Sequence, residues 1–145
     1  MKRKAKILFI QKDFNKEFFI LLGRRRSSNE EFWWIPGGSV EAGESDFEGA
    51  LRELDEELFL TDVYKQRLHT FVQAFVLPAH IEYQSNQANN IIFFVMLPGL
   101  DKQTVPAIRD EFEEMKWFRL EALPVNMSRE FAFIEKDFVQ QIKAL

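Results

Sequence analysis

Apolar and polar positions along the chain follow two rhythms. Lys4 to Gln11 and Glu17 to Arg24 carry the apolar runs Ile7-Leu8-Phe9-Ile10 and Phe18-Phe19-Ile20-Leu21-Leu22 and read as strands, with Asp13-Phe14-Asn15-Lys16 as the hairpin turn between them. Arg25 to Glu31 reads as a polar loop. Trp33 to Gly38 is a short extended piece that Pro36-Gly37-Gly38 breaks. From Ser45 to Leu58 the period becomes helical, with Phe47, Ala50, Leu51, Leu54 and Leu58 on one stripe and Ser45 and Glu48 spaced as a capping box. Tyr64 to Leu77 and Asn90 to Leu97 look like strands joined by a polar loop around Gln84 to Asn89, and Pro98-Gly99 ends the second. Glu113 to Phe118 is another strand, Glu121-Ala122-Leu123 a short turn of helix, and Ser128 to Ala144 a C-terminal helix. Strands interleaved with two helices predict an α+β fold, a mixed sheet with helices packed on it. No internal repeat, low-complexity tract or linker interrupts the pattern, so residues 1–145 are expected to form one domain.

Composition narrows the chemistry. At 46% hydrophobic and 29% charged, with 16 Phe, the chain has what a folded core needs, which excludes disorder. The absence of Cys excludes disulfides, thiolate metal sites and a Cys nucleophile. Two His make a His-rich zinc site a poor expectation, so a metal here would be a hard cation on carboxylates. No apolar run approaches the ~20 residues that span a bilayer. The basic Met1-Lys2-Arg3-Lys4 is followed by a short apolar run and then Gln11-Lys12-Asp13, a poor secretory signal, and a cytoplasmic location is the default.

Charge is unevenly placed. The net −4 hides a net +7 over residues 1–26 and a net −10 over residues 27–62. The basic groups lie on strand-like segments rather than in one block, so no nucleic-acid partner is expected from them. The acidic segment demands neutralisation or a solvated face. With Phe47 at zero on a helical wheel, Glu53, Glu56 and Glu57 fall at about 240°, 180° and 280°, away from the apolar stripe. Like charges at these spacings oppose the helix, and Arg52 is its sole basic residue. A solvated face and an oxygen-ligated Mg²⁺ or Mn²⁺ both account for the cluster. Gly37-Gly38, which permits close backbone approach, and Glu44, within reach of Arg52 as an ion pair, add weight to the cation.

The run Gly38-(five residues)-Glu44-(seven residues)-Arg52-Glu53-Leu54-Asp55-Glu56-Glu57-Leu58-Phe59-Leu60 resembles the Nudix box, G-x5-E-x7-R-E-U-x-E-E-x-G-U, where U is a bulky aliphatic residue. One defined position differs: Phe59 stands where the family has Gly. Outside the box, Leu21-Leu22-Gly23-Arg24-Arg25 with Trp34 to Gly38 resembles the family's approach to it, and Glu111, Trp117 and Leu123-Pro124 resemble its closing segment. The family Gly ends the helix with positive φ, which is strained for Phe, so the helix is expected to end differently or to run on a little. No ligand is expected at this position, so local stability is what the change puts in question.

The resemblance implies a Nudix-type α/β/α sandwich, with the mixed β-sheet packed between helices. It implies hydrolysis of a nucleoside diphosphate linked to another moiety, by water attack on phosphorus. Divalent ions neutralise the anionic oxygens and acidify water in such reactions. Carried over residue by residue, Glu53 and Glu57 are metal ligands, Glu56 a ligand or the base, and the Gly38 carbonyl a backbone ligand for Mg²⁺ or Mn²⁺. Arg52 and Glu44 hold the scaffold. Glu56 and Glu111 compete as general base, with Glu113 and Glu114 as spares. Arg24 or Arg25 would hold a substrate phosphate, while Trp34, with Trp33 and Phe71, either stacks a base or belongs to the core. His69 and His80 are expected to be structural or exposed. The substrate is a small-molecule nucleotide, either a nucleoside triphosphate or a nucleotide sugar of the GDP-mannose type. Val76-Leu77-Pro78 stands where dinucleoside polyphosphate hydrolases carry a Tyr. A non-catalytic nucleotide-binding module is the other class of reading, and a homodimer is left open.

Overall fold

The computed structural model describes residues 2–27, 29–85, 87–98, 105–109 and 111–145. Its centre is β1 (Lys2–Lys12), buried from Ala5 to Gln11. Successive strand residues point to opposite faces, and here both faces are covered, so the apolar run is continuous rather than alternating. Ala5, Ile7 and Phe9 join one core; Leu8 and Ile10 join the other.

The chain turns at Asp13, whose Oδ1 accepts the backbone N–H groups of Asn15 and Glu17 at 2.9 and 2.8 Å, with Lys16 in the left-handed region at φ 62°. It returns as β2 (Phe18–Ser27), followed by β3 (Glu30–Trp34) and β4 (Gly37–Ser39). After α1 (Asp46–Glu57) come β5 (Leu58–Phe59) and α2 (Asp62–Ala74), then the hairpin of β6 (Ala79–Gln84) and β7 (Ala88–Met96). The last elements are β8 (Ala107–Ile108), β9 (Glu114–Arg119) and α3 (Phe131–Lys143).

Seven of these strands form one mixed sheet. β1 runs parallel to β7 and antiparallel to β2 and β4, and β9 pairs with β2. β5 and β8 make a separate two-stranded ladder. Phe47, Ala50 and Leu54 of α1 and Tyr64 and Leu68 of α2 pack on one face, while Phe131, Ile134, Phe138 and Ile142 of α3 pack on the other. The α+β expectation, a mixed sheet between helices, is what the chain forms.

Several element boundaries differ from expectation. Tyr64–Leu77 is not a strand: its first part lies in α2, because Tyr64, Leu68 and Phe71 recur at helical spacing and meet the core on one face. Its β-branched and aromatic residues suggest a strand, but tertiary burial overrides that propensity. Among the described residues there are therefore three helices rather than two. β6 was not expected as a strand. Its alternation of Ile81 with polar neighbours is the pattern of an edge strand, and the loop expected around Gln84 to Asn89 falls partly in the strands: Gln84 pairs with Asn89, and the Ser85 N–H donates to the Ala88 carbonyl at 2.9 Å. The Arg25–Glu31 segment belongs mostly to β2 and β3, which pair from Gly23↔Trp34 to Ser27↔Glu30. Glu121–Leu123 is a turn closed by Ala122 N–H to the Arg119 carbonyl rather than a helix. Gly99 lies outside the described residues. No helix among the described residues is long and apolar enough to cross a membrane.

Candidate functional site

α1 starts on the expected capping box: the Glu48 N–H donates to Ser45 Oγ at 3.1 Å and the Ser45 N–H to Glu48 Oε1 at 3.0 Å. The loop that precedes α1 is held by Arg52. Its Nε and Nη2 donate to the two Glu44 oxygens at 2.8 and 3.0 Å, and Nη2 also reaches the Ser39 carbonyl at 2.9 Å. These bonds, with one from the Glu41 N–H, hold the Glu44 carboxyl below its usual range. Arg52 Nη1 lies 3.3 Å from both Glu53 Oε1 and Glu56 Oε1. One guanidinium thus touches three box acids, and the loop from β4 to α1 is closed like a buckle.

The C-terminal end of α1 differs. Glu57 is 1% exposed, not on the outer face that the helical wheel assigns it. The strands flanking the apolar stripe pack over its side. Glu57 Oε1 accepts the Gly37 N–H at 3.0 Å, and Oε2 accepts from Arg25 Nη2 at 3.1 Å. The same Nη2 lies 3.3 Å from Glu111 Oε2, so Arg25 stands between two carboxylates. Burial pushes the Glu57 carboxyl up to about 8, opposed by Arg25 and the Gly37 N–H and reinforced by the charges of Glu111 and Glu53. Burial also raises Glu53 above its usual range. Glu53 sits directly on Gly38: a Cβ there would lie 2.5 Å from the Glu53 carboxyl carbon, so only glycine lets that carboxylate meet the β4 backbone. Glu56 is exposed and faces solvent and Arg52.

The structure gathers Gly38, Arg25, Glu53, Glu57 and Glu111 around the end of β4 and braces them through Glu44 and Arg52. It does not bring the other expected residues there. Arg24 follows strand alternation to the opposite side from Arg25, where it pairs with Glu31 and Glu113 at 2.9 and 2.8 Å. Glu113 also bonds Arg26, and Glu114 lies 3.4 Å from Arg24, so these spare acids are partnered away from Glu57. Trp34 is a correction: at 5% exposure it packs in the α3-side core against Phe131 and Phe138. Trp33 packs edge-on against Phe118, and Phe71 against Phe47, so both belong to core contacts. His69 is exposed on α2, and His80 Nδ1 is 3.1 Å from the Pro78 carbonyl.

Two residues at the site went unnoticed in the sequence. Phe112, buried beside Glu111, places its ring 4.5 Å from the Arg25 guanidinium; an apolar residue inside an acidic run was the available signal. Lys6, 7% exposed, pairs in register with Gly37 across β1 and β4. It was visible as the one charge interrupting Ala5 to Ile10.

Among the described residues, no three carboxylates converge into a finished metal-ligand set; Arg25 and Arg52 hold them. Their chemistry nevertheless fits a hard divalent cation. The donors are all oxygens, Glu53 is cradled on the Gly38 backbone, and the buried Glu57 carboxyl lacks enough positive charge to ionise at its usual pH.

Comparison with known proteins follows the same lines. A family model described as the NUDIX domain matches residues 1–142. An RNA pyrophosphohydrolase of Pelagibacter ubique (strain HTCC1062) is 24% identical over 139 residues, covering 90% of this chain and 87% of that protein. Among solved structures, the Nudix hydrolase RenU from M. smegmatis superposes with a TM-score of 0.70 at 15% identity, over 98% of this chain and 85% of that one. A bifunctional NMN adenylyltransferase/ADP ribose pyrophosphatase from Francisella tularensis, complexed with AMP and a Mn ion, gives 0.64 at 19% identity. That match covers 97% of this chain but 41% of the larger protein, and at these identities the structures speak for the fold alone. With the family model spanning nearly every residue and the box acids set around Gly38, the chain belongs to the Nudix family.

Proposed function

We propose that this chain is a Mg²⁺- or Mn²⁺-dependent pyrophosphohydrolase that cleaves a nucleoside diphosphate linked to another moiety. That it is a hydrolase of phosphoric anhydrides goes with its family; the metal, the site residues and the substrate are the proposal. One observation carries it: a carboxylate buried to 1% exposure at the end of the box helix, with Glu53, Glu111 and Arg25 around it. A solvated acidic face would not bury Glu57.

In this reading Glu53, Glu56, Glu57 and the Gly38 carbonyl hold the cation. The cation supplies charge neutralisation of the pyrophosphate oxygens and acidification of water. Glu44 and Arg52 fix the loop against α1, so that Gly38 and Glu53 stay in register. Glu111 is the better base than Glu56: both are exposed and each meets an arginine, but Glu111 faces the buried Glu57 across Arg25, whereas Glu56 turns to the Arg52 brace. Arg25, whose Nε is buried without a partner among the described residues, is the group for a substrate phosphate. On the α3 side, a cavity of about 690 Å³ is lined by residues including Lys4, Tyr83, Gln84, Arg129, Glu130 and Phe133. Its size and mixture of amide, cationic and aromatic groups suit a nucleoside. Lys4 pairs with Ser39 of β4, so the cavity borders the same strand. Residues 1–145 are taken as one Nudix domain, supported by the single large sheet that both cores share.

Nucleoside triphosphates and nucleotide sugars lead the substrate classes. The RNA pyrophosphohydrolase relative, matched over 90% of this chain, supports a second reading, a 5′-triphosphorylated RNA end. Rates on nucleoside triphosphates, GDP-mannose, ADP-ribose, diadenosine tetraphosphate and a 5′-triphosphorylated oligoribonucleotide with Mg²⁺ test all of these. Cleavage of one class names the substrate. If no compound turns over, or if Glu57→Gln retains a near-normal rate, the assignment is wrong.

A further inference from the structure

The one position that departs from the box has a partner of its own. α1 needs no glycine to end, because Leu58 caps it in an extended conformation (φ −134°, ψ 151°) and the chain passes straight into β5. There Leu58 and Phe59 pair with Ile108 and Ala107 of β8. The Arg109 N–H donates to the Glu57 carbonyl at 2.9 Å, and the Arg109 guanidinium lies 3.9 Å from the centroid of the Phe59 ring. Phe59 is 52% exposed, so core burial does not explain its ring. Two residues beyond Arg109 is Glu111, and the next residue, Phe112, is buried under Arg25. Glu111 therefore stands between two anchors, one in the core and one at Phe59.

We propose that Phe59 is a positioning residue: its stack on Arg109 fastens β8 to the end of the box helix and thereby sets Glu111 beside Glu57. A ladder of two residue pairs is too short to hold by itself. The guanidinium–ring contact adds a restraint across some 50 residues of sequence that glycine, lacking a side chain, does not provide. The proposal rests on the reading of Glu111 as the base.

Four variants and two readouts test it. Phe59→Leu and Phe59→Gly remove the π face, Phe59→Trp keeps it, and Glu111→Gln removes the group being positioned. On whichever compound of the panel above is cleaved fastest, Phe59→Leu and Phe59→Gly are expected to lower kcat about tenfold with KM little changed, and Phe59→Trp to stay within about twofold. Added to Glu111→Gln, Phe59→Leu should cause no further loss, since no base is left to misplace. Independently of activity, amide exchange at Ala107 to Arg109 should quicken about tenfold in the Leu and Gly variants but not in Trp, with the α1 amides unchanged. Full activity in Phe59→Leu, or losses that multiply with Glu111→Gln, would overturn the catalytic half. Unchanged exchange in Phe59→Leu would overturn the anchoring itself. If Glu111→Gln alone leaves kcat intact, the base assignment falls and the catalytic half with it, while the exchange result still decides the anchoring.

Discussion

The two ends of α1 are held by opposite means. At the N-terminal end the capping and bracing partners are close in sequence, Ser45 with Glu48, three residues apart, and Glu44 with Arg52, eight apart, and one surface pair, Arg3 with Asp46, reaches across 43 residues. These contacts lie at the surface, and they hold the Glu44 and Glu48 carboxyls below their usual range. At the C-terminal end the partners of Glu57 come from 20, 32 and 52 residues away, through Gly37, Arg25 and the Arg109 N–H. That end is dry, and its carboxyl is held near neutrality by burial. A helix terminus that only needs to be stable is capped locally. The end proposed for chemistry is instead buried by tertiary packing, and its charges are left short of compensation.

The largest effect should come from the dry end. Glu57→Gln keeps the size of the side chain and an oxygen for the Gly37 N–H, so melting should shift by no more than a few degrees while kcat falls at least about 10³-fold. A variant that unfolds, or one that stays active, would erase the contrast between a stabilising and a chemical terminus. Next is Lys6, buried opposite Gly37, whose ammonium is pushed down to about 8, chiefly by burial, with Lys4 and Arg25 adding to the shift and Glu130 and Glu57 opposing it. Below pH 8 both the folded and unfolded chains carry the proton, and the full burial penalty is present. Between pH 8 and 10.5 the unfolded chain binds more protons, so the unfolding free energy rises with pH and then levels off. Lys6→Met should therefore stabilise the metal-free protein at pH 7 by up to about 3 kcal/mol and flatten that rise, which denaturant titrations across the range would reveal.

The wet end should yield smaller changes. Arg52→Met opens the buckle on Glu44 and Ser39, and the apparent affinity for Mg²⁺ should weaken about 10–100-fold, as for other groups that orient ligands without binding the ion. Metal titrations of activity would measure it, with kcat at saturating Mg²⁺ changed less. Ser45→Ala removes one cap bond and should cost about 1 kcal/mol of stability with kcat unchanged, read by denaturant melts. Were Ser45→Ala to reduce catalysis as much as Arg52→Met, the N-terminal end could not be called merely structural.

Much of the fold was legible because it depends on short spacings. The Asp13–Lys16 turn, the capping box, the stripe of Phe47, Ala50 and Leu54, and the Glu44–Arg52 brace are all local patterns, and each is present. The reading of Tyr64–Leu77 as a strand failed where propensity and burial disagree. Its aromatic and β-branched residues favour a strand in isolation, and only the core beside α1 rewards the spacing of Tyr64, Leu68 and Phe71. Pairing Arg24 with Arg25 as equal candidates ignored strand alternation, which sends one to Glu57 and the other to Glu113. Trp34 could not be told from a base-stacking residue without knowing that α3 covers it.

By itself the sequence determined the acids, their helix and their brace, because a box of fixed spacings on one helix needs nothing distant to be read. Only the tertiary structure decided which carboxylate is buried, which arginine meets it, and what Phe59 is for. Those depend on strands 20 to 50 residues away meeting at the end of one helix, and desolvation exists only where such surfaces close together.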